Sequence, residues 1–240
     1  MALISPADQQ KLQESFAGMT RPVRLIFFTQ TFGCETCLQA RQILDELPPL
    51  SDKITIEEVN LVLEGDRARD YRIDRAPAIA VTYLEDSPGS DPAKVWKDSR
   101  IRFLGAPAGY EFISLVQAVL LAGGRASGLA VESRARIALV DRPVAMHVFT
   151  TPTCPHCPRA VNLAHEMAFV SPNITAVAVE ATEYPDLARK YHVSGVPKTV
   201  VAGNNAEVEI LGALPEDAFI AQALSVLSPA ASEPEAEPRR

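Results

Sequence analysis

Cysteine is scarce in this 240-residue chain, and no cysteine stands alone. Cys34 and Cys37 form one Cys-x-x-Cys pair and Cys154 and Cys157 form another. In a reducing compartment such pairs serve redox chemistry or metal binding rather than structural stapling. Basic charge is short as well: 23 Lys and Arg against 30 Asp and Glu leave a net charge of −7. That balance argues against nucleic acid as the main partner, because phosphate binding relies on a basic surface. No stretch approaches the roughly 18 apolar residues of a membrane span, so no membrane partner is expected. Met1 to Phe16 lacks a basic segment followed by an apolar one, which leads to the expectation of a cytoplasmic protein. At 22% charged residues the chain also lacks the charge density of many hyperthermophile proteins.

What the chain does contain is a repeat. Pro77, after Ala76, lies 43 positions beyond Cys34, and Pro197, after Val196, lies 43 positions beyond Cys154. At an offset of 120 residues, Tyr71-Arg-Ile-Asp-Arg-Ala-Pro77 lies over Tyr191-His-Val-Ser-Gly-Val-Pro197, each leading into an apolar run. Leu25 to Thr29 and His147 to Thr150 read as short buried strands ahead of the two cysteine pairs. About 110 to 120 residues per half suffice for a core of its own. The expected division is therefore a first domain over 1–123, a second over 124–227, and a disordered Pro/Ala/Glu-rich tail over 228–240. Twice pairing cysteine over one helical turn, with a distant proline, describes a duplicated dithiol/disulfide device.

The elements read in the same order in both halves. Ser5-Pro6-Ala7-Asp8 opens a first helix to about Met19, with Ser as cap and Asp near the positive helix end. A strand (23–29), the Cys34 loop, a helix (35–47) stopped by Pro48-Pro49, a strand (54–59), a short helix (66–71), strands at 79–84 and 95–104 joined by a loop at 86–92, and a helix (110–122) follow. Gly123-Gly124 can end that helix and leave the joint free. The second half offers a helix (132–140), a strand, the Cys154 loop, a helix (155–169), a strand (174–179), a helix (184–191), two strands around Gly203-Asn204-Asn205, and a helix (215–227). This order gives an α/β protein with a mixed sheet flanked by helices in each half.

A strand, Cys-x-x-Cys at a helix start, a proline before the next strand, a hairpin and a last helix resemble the thioredoxin fold, twice over. With Gly105-Ala-Pro-Ala-Gly109, Thr151 to Pro158 and Glu183-Tyr-Pro185, the chain is similar from about Ser5 to Leu227 to the tandem, glutaredoxin-like protein disulfide oxidoreductases. The resemblance implies Cys34 and Cys154 as attacking thiols and Cys37 and Cys157 as resolving thiols. It implies that Pro77 and Pro197 are cis, with Ala76 and Val196 offering backbone groups to an extended substrate. No cofactor or metal is expected. The implied partners are protein disulfides, a thioredoxin-reductase-like flavoprotein or small thiol as electron donor, and a peroxiredoxin as a further candidate.

The attacking cysteine gains at a helix start from the positive dipole end, which lowers its pKa. Two neighbours tune this: His156 favours the Cys154 thiolate, and Glu35 opposes that of Cys34. The chain departs from many thioredoxins in having Phe28 and Val148 where a buried acid precedes the attacking cysteine by six residues. Glu180 is a candidate substitute in the second half, although a carboxylate at a strand end is expected to be solvated; its first-half counterpart is Asn60. His165 and His192 are expected on helix faces, and Gly105 and Gly212 as bulge or close-packing glycines. Three alternatives remain open. Tandem thioredoxin-like units also form the electron-delivery domain of the flavoprotein that reduces bacterial peroxiredoxins, although that domain keeps one working dithiol. A shared zinc would need pairs 116 residues apart to converge, and an iron–sulfur cluster would bridge two chains. A binding module with incidental dithiols is the non-enzymatic reading.

Overall fold

A computed structural model describes residues 3–86 and 94–228 of the protein. The expected tail beyond Ser228, and the 86–92 loop apart from Asp86, lie outside the described residues. The first half runs α1 (Pro6–Ala17), β1 (Val23–Thr29), α2 (Cys37–Asp45), β2 (Ile54–Asn60), α3 (Gly65–Asp70), β3 (Ala78–Asp86), β4 (Lys94–Leu104) and α4 (Tyr110–Ala122). The second half repeats the order as α5 (Val131–Ala138), β5 (Val144–Thr150), α6 (Cys157–Val170), β6 (Ile174–Glu180), α7 (Pro185–Lys190), β7 (Lys198–Gly203), β8 (Ala206–Leu211) and α8 (Glu216–Leu224). Ser5 caps α1 as expected, its hydroxyl accepting from the Asp8 amide at 3.2 Å.

Alternation along the strands assigns the two sheet faces. In β1, Val23, Leu25 and Phe27 join the core formed with α1, α2 and α4, whereas Ile26 and Phe28 face the side covered by α3. In each half the first strand sits between a parallel and an antiparallel neighbour. β1 pairs with β2 in parallel and β3 antiparallel, and β5 pairs with β6 in parallel and β7 antiparallel.

The half-sheets fuse edge to edge. Ile101 to Leu104 of β4 pair in parallel with Ala176 to Val179 of β6, giving one eight-stranded sheet in the order β2-β1-β3-β4-β6-β5-β7-β8. Helices α4 and α6 pack side by side over that seam. Arg100 reinforces it from β4, donating from Nε and Nη2 to the Ala168 carbonyl at 3.0 and 2.9 Å. Helix α6 has no basic residue in its own last turn, so the first half supplies the cation its C-terminus favours.

The glycine joint is tied rather than free. Gly123 does cap α4, but its carbonyl accepts from the Thr20 amide at 2.8 Å, and a Cβ there would meet the Met19 side chain at 2.7 Å. Arg21 Nε adds a 2.7 Å bond to the Ala122 carbonyl. These glycines permit close approach to the α1–β1 turn, which is the physical reason the expected freedom is not found.

Candidate functional site

Both dithiols lie between the first strand of each half and the helix that follows it. The helices start later than the sequence indicates, at Cys37 and Cys157, because Glu35-Thr36 and Pro155-His156 form the turn that joins each cysteine pair. Cys34 with Cys37 and Cys154 with Cys157 form disulfides, each with Cα atoms 5.5 Å apart. In the second pair the first helical amide, that of Cys157, donates to Cys154 Sγ at 3.1 Å. A helix N-terminal donor is thus aimed at the first sulfur of the pair.

Ala76–Pro77 and Val196–Pro197 are both cis, as the resemblance implies. Ala76 and Pro77 line a cleft of about 520 Å³ together with Cys34, Glu35 and Thr36. The Pro77 carbonyl accepts from the Gly105 amide at 2.9 Å, and the Pro197 carbonyl accepts from the Gly212 amide at the same distance. Val196 is half-buried, while Glu35 and His156 both face solvent beside their cysteines. Cys154 is more enclosed than Cys34, and Cys37 and Cys157 are both buried.

The first cleft is not built by the first half alone. Its far wall is Thr182 to Pro185, from the β6–α7 loop of the second half. Tyr184 donates its hydroxyl to the Pro77 carbonyl at 2.8 Å, and Arg75 pairs with Asp186 at 3.1 Å. Thr36, between the first two cysteines, donates its hydroxyl to Glu183, whose other oxygen accepts from the Ala106 amide at 2.8 Å.

Of the acids around the two sites, the sequence marks Glu35 and Glu180 but not Glu183 or Glu111. Phe28 and Val148 are fully buried apolar residues. Glu180 is not solvated: it is 2% exposed and accepts from the Thr182 hydroxyl at 2.7 Å and the Glu183 amide at 2.6 Å. That local turn replaces the water a strand-end carboxylate would otherwise need. Glu111, in the first turn of α4, is buried and accepts a hydrogen bond from Thr150, the residue that ends β5 four positions before Cys154. Burial pushes the Glu111 carboxyl up to about 8; the Thr150 hydrogen bond partly opposes this, and Glu180 and Glu183 add to it. The Glu183 carboxyl is raised as well, by burial first and by Glu180.

Glycines make room for these contacts. Gly105, at φ +100°, lies where a Cβ would fall 2.6 Å from Glu180 Cβ, and Gly109 where it would fall 2.3 Å from the Pro152 carbonyl oxygen. Gly212 also has positive φ, +76°, but no atom lies within 4 Å of such a Cβ, so backbone conformation rather than close packing accounts for it. His165 is enclosed against the edge of Phe103, and burial lowers its pKa to about 3. His192 does not lie on a helix face; it follows α7 at φ +49°, exposed. Among the described residues no cluster of three His, Cys, Asp or Glu side chains is arranged to hold a metal ion.

A thioredoxin-domain family model matches residues 144–225. The chain is 28% identical over 193 residues to the F component of alkyl hydroperoxide reductase (AhpF) of Escherichia coli strain K12, covering 80% of this chain and 33% of that protein. It spans about a third of the length of the curated relatives it matches. Among solved structures, a C503A mutant of AhpF from Enterococcus faecalis V583 is similar at a TM-score of 0.79 and 26% identity, over 91% of this chain and 98% of that one. A protein disulfide oxidoreductase from Aeropyrum pernix K1 is similar at 0.79 and 27%, over 92% of each chain.

Proposed function

We propose that this chain, a member of the tandem thioredoxin-fold oxidoreductases, reduces, oxidises or isomerises protein disulfides through two separate dithiols, one in each of two domains that divide after Gly123. The observation that carries this reading is the pair of Cys-x-x-Cys disulfides, each at a helix N-terminus in a half that also has a cis proline. Thiol–disulfide exchange needs a thiolate to attack a substrate disulfide, forming a mixed disulfide and releasing one substrate thiolate. Cys34 and Cys154 make that attack. Cys37 and Cys157, one turn into the fold, then attack the mixed disulfide and release the second substrate thiol. The enzyme pair is left oxidised, and an external thiol or a thioredoxin-reductase-like flavoprotein returns it to the dithiol.

A protein rather than a small molecule is the substrate class. Phe32 and Leu38 flank the first pair and are 87% and 70% exposed; Val62 and Leu63, at the same end of the sheet, are 75% and 83% exposed. Exposed apolar side chains around a dithiol fit an apolar peptide segment better than a charged tripeptide thiol. Ala76 and Val196 would pair with the backbone of that segment.

Insulin reduction by dithiothreitol, run beside recovery of activity from scrambled ribonuclease, tests this. The protein is expected to accelerate insulin precipitation, and the variant with all four cysteines replaced by Ser is expected to behave as buffer alone. Equal rates from the two proteins would refute the reading. The similarity to AhpF supports a second reading, electron delivery to a peroxiredoxin. Peroxide consumption that depends on an added peroxiredoxin, without insulin reduction, would favour it.

A further inference from the structure

We propose that Glu183, supplied by the second half, is a positioning residue of the first dithiol: through its hydrogen bond to Thr36 it sets the balance between the Cys34–Cys37 disulfide and dithiol. The inference rests on the reading of that pair as redox-active.

The carboxyl is held from several directions. Its backbone amide donates to Glu180, one oxygen accepts from the Ala106 amide, and the other accepts from Thr36, the residue immediately before α2. Tyr184 anchors the same loop on the Pro77 carbonyl. Only a residue without a Cβ fits at 105, since such an atom would also come within 3.2 Å of Glu183 Oε1. Glu183 is thus fixed against the turn that joins the two cysteines, on the wall of the cleft that contains Cys34.

Comparison of the halves shows that this is not a general feature of the repeat. The counterpart of Glu183 in the first half is Leu63, which is 83% exposed. The counterpart of Thr36 in the second half is His156, which is exposed and whose side chain has no hydrogen bond among those described. One pair is coupled to a carboxyl of the other half and one is not.

The direction of the effect follows from charge. An ionised Glu183 opposes a thiolate at Cys34 and so favours the disulfide, whereas a protonated Glu183 does not. Glu180 and Glu111 lie on the same junction and Glu35 on the same cleft; all three are acidic. The nearby base, Arg75, is engaged by Asp74 and Asp186. Burial beside Glu180 raises the Glu183 pKa, so the charge is lost at a higher pH than for a free carboxyl.

The test uses two full-length proteins, one with Cys154 and Cys157 both replaced by Ser and one with Cys34 and Cys37 both replaced by Ser. Each is equilibrated with glutathione redox buffers, with and without Glu183→Gln. In the protein retaining the first pair, Glu183→Gln is expected to shift the equilibrium about tenfold toward the dithiol at pH 8, about 30 mV more oxidising. The shift should shrink as the pH falls toward 5, where the wild-type carboxyl takes up its own proton. The second pair, in the companion protein, should not respond. In a Thr36→Val background the response of the first pair to Glu183→Gln should also diminish, because the coupling path is cut. An equal shift in both pairs, a shift independent of pH, or no shift in the first pair would overturn the proposal. Should Glu183→Gln not fold, Thr36→Val alone must move the first pair and not the second. Failure of either unmodified pair to exchange with glutathione would instead count against the proposed function.

Discussion

Replacing Cys154 by Ser is expected to lower exchange with a protein disulfide near neutral pH by about tenfold or more, and replacing Cys34 by Ser to lower it by less. The second pair combines two features that favour a thiolate. The Cys157 amide points at Cys154 Sγ, and the exposed imidazole of His156 can carry positive charge beside the sulfur. The first pair has carboxyls instead, Glu35 in the turn and Glu183 across the cleft. Neighbouring charges move thiol pKa values within a range of about 3.5 to 7.5, so the two sites should differ measurably. Thiolate absorbance titrated on the two single variants decides the order. Cys154 should show the lower pKa; a lower value for Cys34 would defeat the electrostatic argument.

Glu111→Gln is expected to make the protein more stable than wild type at alkaline pH and to leave it nearly unchanged in acid. The carboxyl is enclosed, 5% exposed, and Oε2 has no hydrogen-bond partner among the described residues. Its pKa rises from the ordinary 4.5 to about 8 in the folded chain, so the folded state binds more protons than the unfolded state between those values. Stability contributed by this proton is fully present below about pH 4.5, declines as the pH rises, and is lost once the folded group ionises near pH 8. At about 1.4 kcal/mol per pKa unit, the loss reaches a few kcal/mol. A rise in Tm of roughly 5 °C or more at pH 9 is the expected signature of the Gln variant, which still accepts from Thr150 and carries no charge. Parallel Tm profiles for the two proteins from pH 5 to 9 would show that Glu111 does not ionise in this range. The same neutrality at pH 7 keeps an additional negative charge away from the strand end that leads to Cys154.

The first-order plan of the molecule is legible because it is written locally and twice. Val23, Leu25 and Phe27 alternate with Ile26 and Phe28, so β1 reads as a strand with both faces covered, and the proline 43 positions beyond Cys34 lies on the cleft that contains that cysteine. The seam is not legible, because parallel pairing of Ile101–Leu104 with Ala176–Val179 depends on which edges meet, and strand periodicity does not encode that. For the same reason nothing in the sequence marks Glu111 or Glu183 as an acid that reaches the opposite half. Glu111 accepts from Thr150 at the end of β5 and Glu183 from Thr36 in the first dithiol turn, and neither contact is encoded within one repeat. Glu180 stands out by position, yet its burial does not, since its partners, the Thr182 hydroxyl and Glu183 amide, form a turn whose geometry only the folded chain shows. Gly105 and Gly109 give a faint signal: two glycines bracketing Ala-Pro-Ala mark close approach, though not what approaches.

Mass-spectrometric mapping of unreduced peptides, after the fully reduced protein has been titrated with oxidised glutathione, bears most directly on the two-dithiol reading. Four titratable thiols should disappear as two local bridges, Cys34 with Cys37 and Cys154 with Cys157, at distinct potentials, the second pair the more oxidising. A bridge between the halves, or thiols that persist in the oxidised buffer, would contradict it.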